Sequence, residues 1–207
     1  MVETVEHGDI QFWFRPTVQA AEAGDHKLGV QSLFAVLSPA GGRLHRRLRI
    51  GKNRMPSRSR DRFWARVERV GSLQRVLGDL LEDEHYTTKT RGPRYQPGAR
   101  AVAAGEYRFV RSDDHLHLSY QLDPAHGDRD VERDEHDDMD RADDVPYVDS
   151  ASHLVLFKSA RGSRVWATAG EPTLLDTERA QIVLVGARPP LALADASRDP
   201  ASASPSG

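Results

Sequence analysis

The chain has no cysteine. Disulfides, thiolate metal sites and cysteine nucleophiles are thereby excluded together. It also has no apolar run approaching the roughly 18 residues that a membrane-spanning helix needs. The opening "MVETVEHGDI" is acidic and lacks the apolar segment of a secretory leader. By elimination, a cytoplasmic protein with no membrane partner is expected. Lysine is scarce, with 4 residues against 25 arginines, and aspartate outnumbers glutamate 20 to 11. Such a bias suits a GC-rich genome or a salt-adapted host, so it lowers the weight any single arginine carries. Hydrophobic residues make up 38% of the 207. That is low for a globular chain, and part of it is expected to stay outside the core.

Familiar chemical signatures are missing too. "RIGKN" contains Gly51-Lys52, but Asn53 stands where a phosphate-binding loop needs Ser or Thr, and position 46 is Arg rather than Gly. No G-x-G-x-x-G supports a dinucleotide fold, and no G-x-S-x-G supports a hydrolase elbow. An EF-hand loop begun at Asp128 would need Gly at Arg133 and Glu at Met139.

What the chain does have is segregated charge. The net charge is −2. Residues 43–69 nevertheless hold 11 Lys/Arg against 2 acids, and residues 123–150 hold 12 acids against 3 Arg. The first block raises the question of a polyanion-binding surface. The second reads as a solvated acidic loop.

Periodicity supplies the fold expectation. "GDIQFWFRP" alternates Ile10, Phe12 and Phe14 with Gln11, Trp13 and Arg15, as a half-buried strand does. Val30 to Leu37 forms a second apolar run, and "SPAGG" turns the chain after it. In "RLHRRLRI", Leu44, Arg46, Leu48 and Ile50 share one face, while Arg43, His45, Arg47 and Arg49 share the other. Phe63, Val67 and Val70 then take helical spacing. Ser72 can cap a further helical stripe through Leu73, Val76, Leu77, Leu80 and Leu81. "TRGPRYQPGAR" (90–100) reads as a loop. "GEYRFVRSDDHLHLSYQLD" and "SHLVLFKSARGSRVWATAG" read as hairpins, and "AQIVLVGA" as a strand buried on both faces. The sum is an α+β domain over residues 1–187. Its expected frame is a mostly antiparallel sheet or open barrel of about seven strands, with a helical insertion after the third. Residues 188–207, rich in Pro, Ala and Ser, are expected to be a disordered tail.

"GDIQFWFRP", "RIGKNRMP" before an aromatic "RFW", "DHLHLSYQL" and the closing "LLDTERAQIVLVGA" resemble a family of bacterial and archaeal proteins with no assigned activity. The resemblance spans most of residues 8–187. It implies one intact unit with an appended tail, and it carries over no catalytic or binding residue.

Two functional expectations follow. The leading one is a non-catalytic binding module. Its basic surface would comprise Arg43, His45, Arg47, Arg49, Lys52, Arg54, Arg58 and Arg62, extended by Arg91 and Arg94. Arginine forks phosphate oxygens in pairs, and Trp13, Trp64 and Tyr95 offer stacking surfaces. The partner would be RNA, DNA or an acidic protein surface, with no cofactor. A sequence pI of about 6.5 weighs against a dedicated nucleic-acid binder. The alternative is a small metal-dependent enzyme. His115 and His117 lie two apart on a strand, on one face, and Asp113 at the turn could add a carboxylate to hold zinc or iron.

Overall fold

The computed structural model describes residues 2–20, 29–113, 115–124, 146, 148–158, 166–167 and 170–191. The described strands are β1 (Val2–Pro16), β2 (Gln19–Ala20), β3 (Val30–Pro39), β4 (His45–Ile50), β5 (Arg62–Gly71), β6 (Glu84–Thr88), β7 (Gly92–Gln96), β8 (Arg100–Ser112), β9 (His115–Leu122), β10 (Ala151–Lys158), β11 (Trp166–Ala167) and β12 (Gln181–Arg188). One helix, α1 (Leu73–Leu81), follows β5, and a 3-10 turn spans Pro172–Asp176.

Eight of these strands close into an antiparallel barrel. The order is β10-β12-β5-β4-β3-β1-β8-β9, and β9 returns to β10. The chain builds it from two meanders. β3, β4 and β5 form one, and β8, β9 and β10 the other. β1 joins them on one side by pairing with both β3 and β8. β12 joins them on the other by inserting between β5 and β10. β11 lies outside the ring against the end of β10. A separate small sheet, β2-β7-β6, is tied to the end of β1 by Gln96, whose side-chain amide donates to the Pro16 carbonyl.

Period two fills the barrel. Ile10, Phe12, Leu33, Leu37, Leu48, Phe109, Leu116, Leu118, Val155, Ile182 and Leu184 turn inward and are fully buried. The hairpin expected around Ser112-Asp113-Asp114 is present, with Ser112 paired to His115. Asp113 takes a positive φ of 52°, a conformation Asp tolerates better than most residues.

Expectation and structure part in three places. The barrel is closed, with eight strands rather than about seven. The segment expected as a helix from Phe63 is a strand, so the helix follows the fourth barrel strand. The cause is a bulge: β4–β5 register shifts where Arg47 faces Arg69 but Leu48 faces Val67. One extra residue, Glu68, moves Val70 into phase with Val67. The resulting 63, 67, 70 spacing imitates a helix. The third departure is at 90–100, expected as a loop, where Gly92–Gln96 form β7. The Ser72 cap is as the pattern predicts, its hydroxyl accepting from Arg75 N. Most of the acidic block 123–150, and the tail from 192 on, lie outside the described residues. β12 runs through Arg188, and beyond it Leu191 N donates to Ser119 Oγ.

The barrel ends are closed by side chains. At one end Arg46, only 3% exposed, points inward among the apolar residues. Its Nη1 and Nη2 donate to the two oxygens of Glu6 at 2.6 and 2.9 Å, and its Nε donates to Asp176 at 2.7 Å. Tyr107 donates its hydroxyl to Glu6 at 2.8 Å. Burial disfavours the Arg46 charge, but the bonds to Glu6 and Asp176 outweigh it and hold its pKa above the usual value. Beside this cluster Leu175 of the 3-10 turn enters the core. From the opposite end of β4, the β4–β5 loop sends Met55 into the same core.

Removing one partner from a buried ion pair leaves the other uncompensated, at a cost of about 3–5 kcal/mol. Arg46→Ala is expected to lose that much stability in urea unfolding. Leu118→Ala, with its side chain inside the barrel, is expected to lose about 2–5 kcal/mol. Arg66→Ala, on the outer face, is expected to stay within about 0.5 kcal/mol of the wild type.

Candidate functional site

The arginines of residues 43–69 divide by what they touch. Arg47 was expected on the solvent face of β4. It does point out of the barrel, but it is 4% exposed. α1 covers it: Arg47 donates to the Val76 carbonyl and, through two nitrogens, to Asp79 at 2.7 and 3.1 Å. Its Nε lies 3.2 Å from Glu68, and its guanidinium sits over Phe34. Arg47 is therefore a helix anchor and leaves the expected basic surface. Hydrogen bonds from Arg47 and the nearby positive charge of Arg69 hold Asp79 below the usual carboxylate range. Arg15 finishes the same helix by donating to the Asp79 and Glu82 carbonyls, which α1 itself cannot satisfy. His45 is half-buried, with Nδ1 2.8 Å from Ser38 Oγ.

The β4–β5 loop, which looked like a basic run, is an ordered turn organised by its single acid. Asp61 accepts from Ser57 N, Arg58 N and Arg54 Nη1. The Ser57 bond above all lowers its pKa. Arg54 lies over the Phe63 ring, 4.8 Å from its centroid. Lys52, Arg58 and Arg60 project from this turn, and Arg43 precedes β4; all four are exposed.

An outward face remains available. Along β5, Arg62, Trp64 and Arg66 alternate on the exterior, and Trp64 is 53% exposed. Trp166 meets it edge-on, with centroids 4.8 Å apart. Arg49 of β4 sits beside Arg66 in register. Arg49 donates to Ser32 Oγ, its only close carboxylate among the described residues is Glu68 at 3.7 Å, and Arg66 is 3.9 Å from the same group. Arg91 and Arg94 belong instead to the small sheet, on and after the β6–β7 turn. Trp13 is half-buried and donates to Gln11, and Tyr95 donates to Asp83 while stacking on His85. Of the three aromatics singled out in the sequence, Trp64 alone offers an open face.

Next to this face lies a cavity of about 370 Å³ on the barrel exterior. Its walls include His115 and His117 of β9, Ser152 and Leu154 of β10, and Val185, Gly186 and Arg188 of β12. Ser59 of the basic turn, Ser112 and Asp113 complete it. Gly186 has a positive φ of 68°, and a Cβ there would come within 3.0 Å of the Ser59 carbonyl, so glycine lets the turn pack down. His115 and His117 face outward here, opposite the buried Leu116 and Leu118. Desolvation and the charges of Arg188 and His115 hold the His117 pKa below its usual value. Asp113 lines the same cavity, yet no three His, Asp or Glu among the described residues are grouped to hold a metal. The zinc or iron alternative thus gains no support from the geometry.

Sequence reasoning missed one histidine altogether. His153 is fully buried inside the barrel. Its Nδ1 contacts the Gly186 carbonyl and its Nε2 lies 3.1 Å from the Tyr120 hydroxyl. The proton therefore sits on Nδ1, and Tyr120 donates to Nε2. Its parity with Val155 and Phe157 was the available signal.

Comparison with known protein families, curated proteins and solved structures finds no match. The family resemblance therefore supplies no argument about the site. No helix among the described residues is long and apolar enough to cross a membrane.

Burial also holds the His153 pKa below its usual value, though its bond to Gly186 opposes the shift. The unfolded chain, with histidine near about 6.5, then binds the extra proton first. Stability contributed by neutral His153 is complete above that pH and is lost as pH falls below it. Urea midpoints are expected to drop between pH 7.5 and 5.5 in the wild type. His153→Gln is expected to flatten that dependence, leaving the share due to His117. An unchanged slope in His153→Gln would rule out this account.

Proposed function

We propose that the protein is a non-catalytic binding module that holds a single-stranded nucleic acid on the outer face of β4 and β5. One observation carries this reading. Trp64 is half-exposed between Arg62 and Arg66 on a flat strand surface, with Arg49 alongside. A half-exposed indole costs hydrophobic burial, and an aromatic face accepts a base of any sequence. Arg62 and Arg66, four residues apart on one face with Trp64 between them, present guanidinium forks to phosphates on either side of a stacked base. No carboxylate pairs with Arg62 among the described residues. Arg49 and Arg66 share one carboxylate, Glu68, at 3.7 and 3.9 Å, and Arg49 also donates to Ser32 Oγ.

The expected basic surface is thereby narrowed. Arg49 and Arg62 stay in it, joined by Arg66 and Trp64. Lys52, Arg54 and Arg58 flank it on the ordered turn. Arg47 leaves it, and Arg91 and Arg94 lie on another sheet. Contacts of this kind position a strand without reading its sequence. An acidic protein would use the arginines but would have less need of an open indole.

The test is a binding series against a single-stranded RNA oligonucleotide at graded salt. Binding is expected to quench Trp64 fluorescence. Arg62→Glu with Arg66→Glu is expected to flatten log affinity against log salt by about 0.7 per lost phosphate contact. Trp64→Ala is expected to weaken binding by about 1–3 kcal/mol with little change in that slope. Wild-type protein that fails to bind RNA even at low salt would sink the reading and leave an acidic protein as the partner to pursue.

A further inference from the structure

We propose that the exterior cavity between β9, β10 and β12 is a phosphate-binding pocket for a phosphorylated organic ligand. The argument begins with donors. His115, His117 and Arg188 bring three nitrogen-bearing side chains to one concave surface, and Ser59, Ser112 and Ser152 bring hydroxyls. Among the described residues Asp113 is the one carboxylate in the wall. An oxyanion satisfies several donors at once, and Arg188 can fork two of its oxygens.

Ser152 adds an independent sign. It is 2% exposed, and its Oγ is buried with no hydrogen-bond partner among the described residues. It lies on the outward parity of β10 with Leu154, so its side chain faces the cavity rather than the barrel interior. A buried hydroxyl left unpaired costs free energy, and a ligand oxygen would recover it. Across the strands, Ser152 stands in register with Arg188 on β12. The hydroxyl and the guanidinium therefore converge on the same part of the wall.

Size sets the ligand class. About 370 Å³ is far more than a bare phosphate fills and lies within the range of small-molecule pockets. Leu154 and Val185 supply an apolar floor for the organic part. Two sources offer this chemistry. One is a free phosphorylated metabolite of nucleotide size. The other is the terminal phosphate of a strand lying on the neighbouring arginine and tryptophan face, since Val185 of the floor pairs directly with Arg62. The pocket itself does not depend on that strand.

Calorimetric titration of the full-length protein separates these outcomes. Adenosine 5′-monophosphate is expected to bind and adenosine is not. Arg188→Met, at an exposed strand end, is expected to weaken the nucleotide by roughly tenfold or more without shifting the urea midpoint. His117→Gln is the second variant, expected to weaken it in the same direction. Equal binding of nucleotide and nucleoside, or unchanged binding in both variants, would overturn the proposal. So would a failure of wild-type protein to bind the nucleotide. For the source, 5′-phosphorylated and 5′-hydroxyl RNA of one sequence are compared. A preference for the phosphorylated end that Arg188→Met removes assigns the pocket to a strand terminus. Nucleotide binding that survives Arg62→Glu with Arg66→Glu, without any such preference, assigns it to a free metabolite. Nucleotide binding in a protein that ignores RNA would retain the pocket and reject the strand-binding face.

Discussion

The structure turns on one cation placed where cations are expensive. Arg46 enters the barrel with the parity of Leu48 and Ile50, and nothing in the apolar interior would hold it there alone. Glu6 from β1, Asp176 from the 3-10 turn and, through Glu6, Tyr107 from β8 make the charge tolerable. Four separate parts of the chain are thus committed to one guanidinium. Its geometry admits little slack, because both Glu6 oxygens are engaged and Nε is spent on Asp176. Ion pairs of this kind add less to stability than their distances suggest, since desolvation consumes much of the attraction. What they do penalise is misplacement. A shift of β4 by one residue would turn Arg47 and Arg49 inward and throw Leu48 and Ile50 outward.

The same reasoning sorts the other arginines. A positive charge is a docking group only if the protein has not already used it. Arg47 binds a helix, Arg54 binds Asp61 and covers Phe63, and Arg15 caps carbonyls. The unspent charge is concentrated where β5 turns Arg62, Trp64 and Arg66 outward. The cavity beside them is walled by the turn that Asp61 shapes. The acid that looked like an exception within a basic run is thus the reason that run has a defined surface.

Much of the barrel was legible because period two is a strong signal when one face is fully buried. β1, β4, β8 and β9 declare themselves that way, β3 and β12 do so by continuous apolar runs, and Arg46 could be assigned to the inner face by parity alone. β5 was not legible, because its bulge shifts phase in mid-strand and Ala65 is too small to mark the inward row. Closure was not legible either. The β9–β10 and β5–β12 ladders join strands whose patterns say which face is buried but not which edge meets which. For the site, sequence singled out the His115–His117 pair and the aromatic Trp64. It had no means of finding Ser152 or Arg188, which matter through neighbours on other strands. Nor could it foresee that α1 would cover Arg47.

The position of β12 has a consequence for how such a chain comes off the ribosome. β12 is the last strand of the barrel in sequence, yet it fills the gap between β5 and β10. Until it emerges, the first meander has an unpaired edge along Phe63, Trp64 and Ala65, and the second has another along β10. Each is a row of open backbone donors and acceptors, the kind of edge that recruits a stray strand from another chain. Until β12 is made, the barrel is therefore a ring with a missing stave. Arg62 and Arg66, alternating with the tryptophan on that waiting edge, place like charges along it. Two copies brought edge to edge would repel there before their backbones could pair.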